Sequence, residues 1–193
     1  MALLIVSGCA SSPAEDSARD SASMEDVVSL MRGTVTYDYE PYPTPRAMLH
    51  DDGTDIAVVG TVESVEPAFL AGGPEPLGAV VVGLDPVETW KDDPSDRSAS
   101  VFYWFHRPTN LGIERYRAAM PDGTRVVLFG SDVLSTPGFT RGDPGTTVYQ
   151  PLPQGLFLPV PDHGLVNVWG DDIADGDWDR LHTVDDLRTA VRR

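Results

Sequence analysis

The stretch 55–66, Asp-Ile-Ala-Val-Val-Gly-Thr-Val-Glu-Ser-Val-Glu, constrains the fold more than any other part of the chain. Ile56, Val58, Val59, Thr61, Val62 and Val65 are β-branched; such side chains pack well on a pleated sheet and are restricted in a helix. The run turns amphipathic toward Glu66, as a strand with one wetted face does. Gly60 in its middle predicts a bulge or sharp bend, which a strand needs where it curls around a small barrel. Further strands are predicted over 78–89, 100–106 and 125–130. In 100–106, Phe102 and Trp104 alternate with Val101, Tyr103 and Phe105, so this strand is apolar on both faces and expected to be central. A hairpin is expected from 154–158 and 164–169 across a turn at 159–163. The 18 glycines and 17 prolines of the 193 residues fit short strands joined by many turns better than long helices.

Helices are confined to short pieces. Ser23 is placed to cap a helix over 24–31, with Glu25 and Asp26 in its first turn and Gly33 as its stop. Thr44, followed by Pro45, starts a second over 45–50. A third is predicted over 111–120, and Thr183 caps a fourth over 184–191 at the C-terminus, with Asp185 and Asp186 at its positive end. The segment 34–40 reads as a short or edge strand, 68–76 as a Gly/Pro loop and 131–153 as a long loop. Together these pieces predict a mainly β fold, an OB-like β-barrel with short flanking helices that include a C-terminal one; a small sandwich is the alternative. The segment 54–66 resembles the opening strand of secreted bacterial proteins with a netrin-like or OB-like barrel. That resemblance implies the barrel and carries no catalytic residue with it.

Cys9 is the one cysteine of the chain and lies behind Met-Ala-Leu-Leu-Ile-Val-Ser-Gly. The tetrad Val6-Ser7-Gly8-Cys9, after an apolar run and before a polar stretch, resembles the lipobox of bacterial lipoproteins. The resemblance implies that the Cys9 thiol takes a diacylglyceryl group, that residues 1–8 are removed, and that the chain sits lipid-anchored at the extracytoplasmic face of the cell membrane. The apolar run is short and no Lys or Arg precedes Arg19, so translation is expected to start upstream of Met1. Residues 9–23 read as a flexible tether of Ser, Ala, Asp and Glu, and 24–193 as one β-rich domain. With Cys9 lipidated no disulfide is available, and the domain rests on its core alone. No run approaches the roughly 20 apolar residues of a spanning helix. The formal charge of −16 (14 basic, 30 acidic residues) opposes binding to phosphate backbones, so nucleic acid is not an expected partner.

Residues that could carry chemistry are sparse. His50, His106, His163 and His182 have no i, i+2 or i, i+4 spacing that would present two ligands to a metal, and solvated or capping roles are expected. Ser131 follows an apolar strand, but Phe129 and Val133 stand where a nucleophile elbow needs glycine. Gly72-Gly73 lacks a following helix that would cradle phosphate. The acid-rich segment 171–179 supplies a candidate calcium set, Asp171, Asp172, Asp175, Asp177 and Asp179. Measured from Asp171, Asp175 and Gly176 match an EF-hand loop, whereas Ile173 and His182 do not; a turn anchored by Trp178 is the simpler expectation. Tyr37, Tyr39 and Tyr42 lie among prolines and either cover the barrel or grip a Pro-rich peptide or glycan. The expected function is therefore that of a non-enzymatic binding or envelope-structural module, without cofactor, with an envelope protein, peptide or glycan as partner. The loops 68–76 and 131–153 would form its recognition face. A loop-based extracellular hydrolase is one alternative, and a cytoplasmic acidic β-domain with a misread N-terminus is another.

Overall fold

The computed structural model describes residues 23–34, 40–70, 77–92, 100–107, 111–132, 139–140, 147–169 and 177–193. Strands β1 (Ile56–Leu70), β2 (Leu77–Lys91), β3 (Val101–His106), β4 (Arg125–Asp132) and β6 (Val148–Val160) form a closed circuit in the order β1-β2-β3-β6-β4-β1. Every pairing in the circuit is antiparallel except β3 with β6, which is parallel through Phe102↔Val148 and Tyr103↔Tyr149. A short strand β5 (Phe139–Thr140) adds to the tip of β1, and β7 (Gly164–Asn167) pairs back on β6. Helix α3 (Ile113–Ala119) links β3 to β4. This circuit, with its one parallel pair and the helix between the third and fourth strands, is the predicted mainly β, OB-like barrel.

Three apolar layers follow from the strand pattern. Inward positions Val58, Val62, Val80, Val82, Leu84, Tyr103, Phe105, Val126, Leu128, Leu156 and Leu158 fill the barrel. Helix α1 (Met24–Thr34) and α3 join this core through Met24, Val27, Met31, Tyr116 and Ala119. Burial in that core holds the Tyr103 hydroxyl in its neutral form well beyond the usual tyrosine range. The outward faces of β1, β4 and β6 are apolar too, through Ala57, Val59, Val127, Phe129 and Phe157. Helix α2 (Pro45–His50) and the C-terminal α4 (Val184–Arg192) cover them with Met48, Leu49, Leu187 and Val191. Burial on both faces explains why these strands read as continuous apolar runs rather than clean alternations. A third cluster, around Ala79, Val81, Trp104 and Val148, occupies the outer wall of β2 and β3.

The predicted irregularity at Gly60 is present as a register shift between Val59 and Gly60 against β2. A Cβ there would lie 2.9 Å from Leu84 Cβ and 3.0 Å from the Asp85 carbonyl oxygen, so the strands approach too closely for a side chain. Thr44 caps α2 by accepting from the Ala47 amide. Thr183 and Asp186 form a reciprocal capping box on α4, and Ser23 with Asp26 does the same at α1. Arg188 of α4 reaches Glu88 of β2 at 2.6 Å, which holds the Glu88 carboxyl below its ordinary value and ties the last helix to the barrel.

Two expectations are corrected. The long loop over 131–153 contains the end of β4, all of β5 and the first residues of β6. Pro151 and Pro153 look like strand breakers, yet β6 carries a wide bulge that accommodates them. Between Leu128↔Leu156 and Gly130↔Pro151, β4 advances two residues (128 to 130) while β6 advances five (156 to 151). Helix α1 also runs past the expected stop, with Gly33 in its last turn and Thr34 at its end. Thr34 is therefore helical rather than the first residue of a strand; residues 35–39, which complete that expected strand, lie outside the described residues, as do the signal segment, the tether up to residue 22 and Cys9.

Candidate functional site

A cleft of about 600 Å³ lies between α1 and the β6–β7 hairpin, within the size range of small-ligand sites. One stripe of α1 at helical spacing, Glu25, Val28, Ser29 and Arg32, makes one wall. Val160, His163 and Val166 of the hairpin make the other. Glu25, Ser29 and His163 are exposed, Arg32 is half-buried, and Val28 and Val160 are buried as an apolar floor.

Both walls are held in place by identifiable contacts. Arg32 donates from Nε to the Val168 carbonyl at 2.6 Å and from a terminal nitrogen to the Asn167 carbonyl at 3.1 Å. Trp169 donates from its indole to the Met31 carbonyl at 3.4 Å. These bonds dock α1 onto the segment leaving β7. The opposing turn is set by two left-handed residues, Asp162 (φ 64) and Gly164 (φ 72). A Cβ at Gly164 would lie 2.6 Å from the His182 carbonyl oxygen, which accepts the Leu165 amide at 2.7 Å. The turn bearing His163 is thus fixed by the chain that enters α4.

A recognition face is expected from the loops 68–76 and 131–153. Phe69↔Thr140 and Leu70↔Phe139 pair the tip of β1 with β5, so the connections after β1 and after β4 meet at one place. Phe69 is 52% exposed there. Residues 71–76, 133–138 and 141–146 of these two loops lie outside the described residues.

The other candidates scatter. His50 ends α2, His163 sits in the hairpin turn and His182 precedes the α4 cap, all three exposed. His106 differs from the expected solvated or capping role. It is half-buried on the outer face of β3, edge-on to Trp104 at 5.0 Å, and burial lowers its pKa, disfavouring the charged imidazolium. Ser131 lies within β4, paired with Gln150, and not on a strand-to-helix turn. Tyr42 is half-buried against the α2/α4 layer, where burial raises its pKa. Its backbone is held by Gln154 and by Trp178, whose indole donates to the Tyr42 carbonyl at 2.9 Å. Tyr42 therefore covers the barrel wall; Tyr37 and Tyr39 lie outside the described residues.

Trp178 is the anchor expected of the acidic turn, stacked on Phe157 at 6.2 Å. Of the calcium candidates, Asp171, Asp172 and Asp175 lie outside the described residues. Asp177 and Asp179 belong to a 3-10 turn (Asp177–Arg180), and their carboxylates are likewise outside. Among the described residues no group of three or more His, Cys, Asp or Glu could hold a metal, and no helix is long and apolar enough to cross a membrane. Two features escape sequence reasoning. Gln154, fully buried in the β6 bulge, clamps the Tyr42 segment, and its carbonyl accepts from Asn167 at 2.8 Å. The cleft itself joins residues more than 130 positions apart, although the polar spacing of Glu25, Ser29 and Arg32 on one helical stripe is visible in the sequence. No family model and no curated protein matches this chain.

Proposed function

We propose that this chain is a non-enzymatic binding module, held at the extracytoplasmic face of a cell membrane by a diacylglyceryl group on Cys9. The address rests on the lipobox-like Val6-Ser7-Gly8-Cys9 and the polar stretch behind it. The binding role rests on one observation, the cleft between α1 and the β6–β7 hairpin. It combines an apolar floor with both signs of charge, the makeup of a small-ligand site. Its position follows from chain order: α1 is the first element after residues 9–23, so the ligand is taken at the part of the domain nearest the anchor. The pairing of β5 with the β1 tip supports a second recognition face for an envelope protein, peptide or glycan.

The test is photocrosslinking in the host's own membranes with benzoylphenylalanine in place of Ser29. A discrete small-molecule adduct on the intact protein is expected. The same substitution at exposed Thr89 of β2 should give none. Identical adduct patterns from the two positions would contradict the assignment of the cleft.

A further inference from the structure

We infer that the cleft between α1 and the β6–β7 hairpin takes an alkylammonium ion, its charged head at Glu25 and its aliphatic body on the valine floor. This inference rests on the binding role proposed for the same cleft. Arg32, the cationic residue of the cleft, is committed to the protein itself. It donates to the Val168 carbonyl at 2.6 Å and to the Asn167 carbonyl at 3.1 Å, the bonds that dock α1. Glu25, Ser29 and His163 are exposed, and among the described residues their side chains make no hydrogen bond. The polar groups left for a ligand are therefore a carboxylate, a hydroxyl and an imidazole.

Each of these three groups can accept a hydrogen bond, and the ionised carboxylate can only accept. An ammonium is their complement, with three donors, a positive charge and no acceptor. Glu25 and Ser29 are four residues apart on one stripe of α1, about 6 Å along the helix axis, and His163 comes from the opposite wall. Val28 and Val160 are buried and Val166 is half-buried, so the floor offers an aliphatic chain apolar contact. Arg32 lies seven residues beyond Glu25, about 10 Å along the axis; its charge repels an ammonium and favours the Glu25 end. The formal charge of −16 raises the concentration of cations around the domain. A carboxylate ligand would meet Glu25 with like charge. A zwitterion would bring a carboxylate for which the cleft has no uncommitted cation. An alcohol of the same length would keep the floor and lose the charge pair.

The experiment is a heteronuclear NMR titration of the full-length protein with n-hexylamine, 1-hexanol and hexanoate at neutral pH. Saturable shifts of the Val28, Val160 and Val166 methyl signals are expected with hexylamine. Hexanol should bind there about three- to fivefold more weakly, the worth of a solvent-accessible ion pair, and hexanoate more weakly still. Glu25→Gln should weaken hexylamine by a similar factor and leave hexanol unchanged, because both changes remove the same pair. Glu25 is exposed and makes none of the bonds that dock α1, so its variant should keep the fold and show wild-type signals away from α1. No saturation at these methyls with tens of millimolar hexylamine would overturn the inference, as would equal affinity for hexylamine and hexanol, or equal hexylamine affinity in wild type and Glu25→Gln. If hexylamine fails while the Ser29 photoadduct forms, only the ligand class is overturned; if both fail, the binding role of the cleft falls with it.

Discussion

Replacing Gly155 by alanine is expected to cost about 3 kcal/mol or more of folding stability, a large share of the roughly 5–15 kcal/mol that holds a domain of this kind. Gly155 lies in the β6 bulge, where one residue of β4, Phe129, faces four of β6, residues 152–155. A Cβ built there falls 2.2 Å from the Phe129 carbonyl oxygen, 2.9 Å from Leu152 Cβ and 3.0 Å from the Leu152 amide nitrogen. Two of these three neighbours are backbone atoms, so no rotamer change relieves the clash. The strand itself must move, and the barrel closes through this strand pair. Moving it would also pull Gln154 away from the Tyr42 segment that it clamps. Urea unfolding followed by tryptophan fluorescence reads the effect as a fall in midpoint. Gly112→Ala is the control for clash, since nothing lies within 4 Å of a Cβ at that position; as the N-cap of α3 it should lose only about 1 kcal/mol or less. Equal midpoints for wild type and Gly155→Ala would mean that the bulge is not built as described.

Phe157→Ala is expected to cost about 3–5 kcal/mol. The ring is 1% exposed and sits between two partners, Phe129 at 6.4 Å and near edge-on, and Trp178 at 6.2 Å and nearly parallel. It belongs to the layer where α2, α4 and Trp178 cover the outer wall of β1, β4 and β6. Removing it opens a cavity and releases two aromatic contacts at once. The indole of Trp178 should then become wetter, so its emission should shift to longer wavelength before global unfolding begins. Phe157→Leu keeps most of the volume and should recover much of the loss. A loss below about 1 kcal/mol for Phe157→Ala would show that the outer layer packs only loosely on the barrel.

The barrel was legible in the sequence because its longest strands carry their own evidence. The β-branched run of β1 identifies a strand wherever it is placed, and Gly60 marks the point where that strand must deform. Thr44, Thr183 and Ser23 identify helix starts because a cap is a local hydrogen bond between residues three apart. The N-terminal part of β6 was not legible. Pro151 and Pro153 forbid a regular central strand, and only the bulge shared with β4 makes them compatible with one. Such a bulge is a property of two strands together, with no marker in either alone. The outer layer was half visible: Trp178 and the C-terminal helix stood out, but Gln154 looked like an ordinary polar residue. Its buried role depends on Tyr42, 112 positions earlier. The same reasoning separates the two parts of the candidate site. Glu25, Ser29 and Arg32 lie on one helical stripe by spacing alone, whereas the hairpin that faces them is brought there by the barrel.

The proposed anchor at Cys9 stands ahead of α1, the helix that forms one wall of the proposed binding cleft. The most direct test is the mass of the N-terminal peptide of the protein purified from its own host's membranes. A peptide that begins at Cys9 and carries the mass of a diacylglyceryl group is the predicted result. An unmodified peptide that retains Met1 would contradict it, and would leave an acidic OB-like barrel without its anchor.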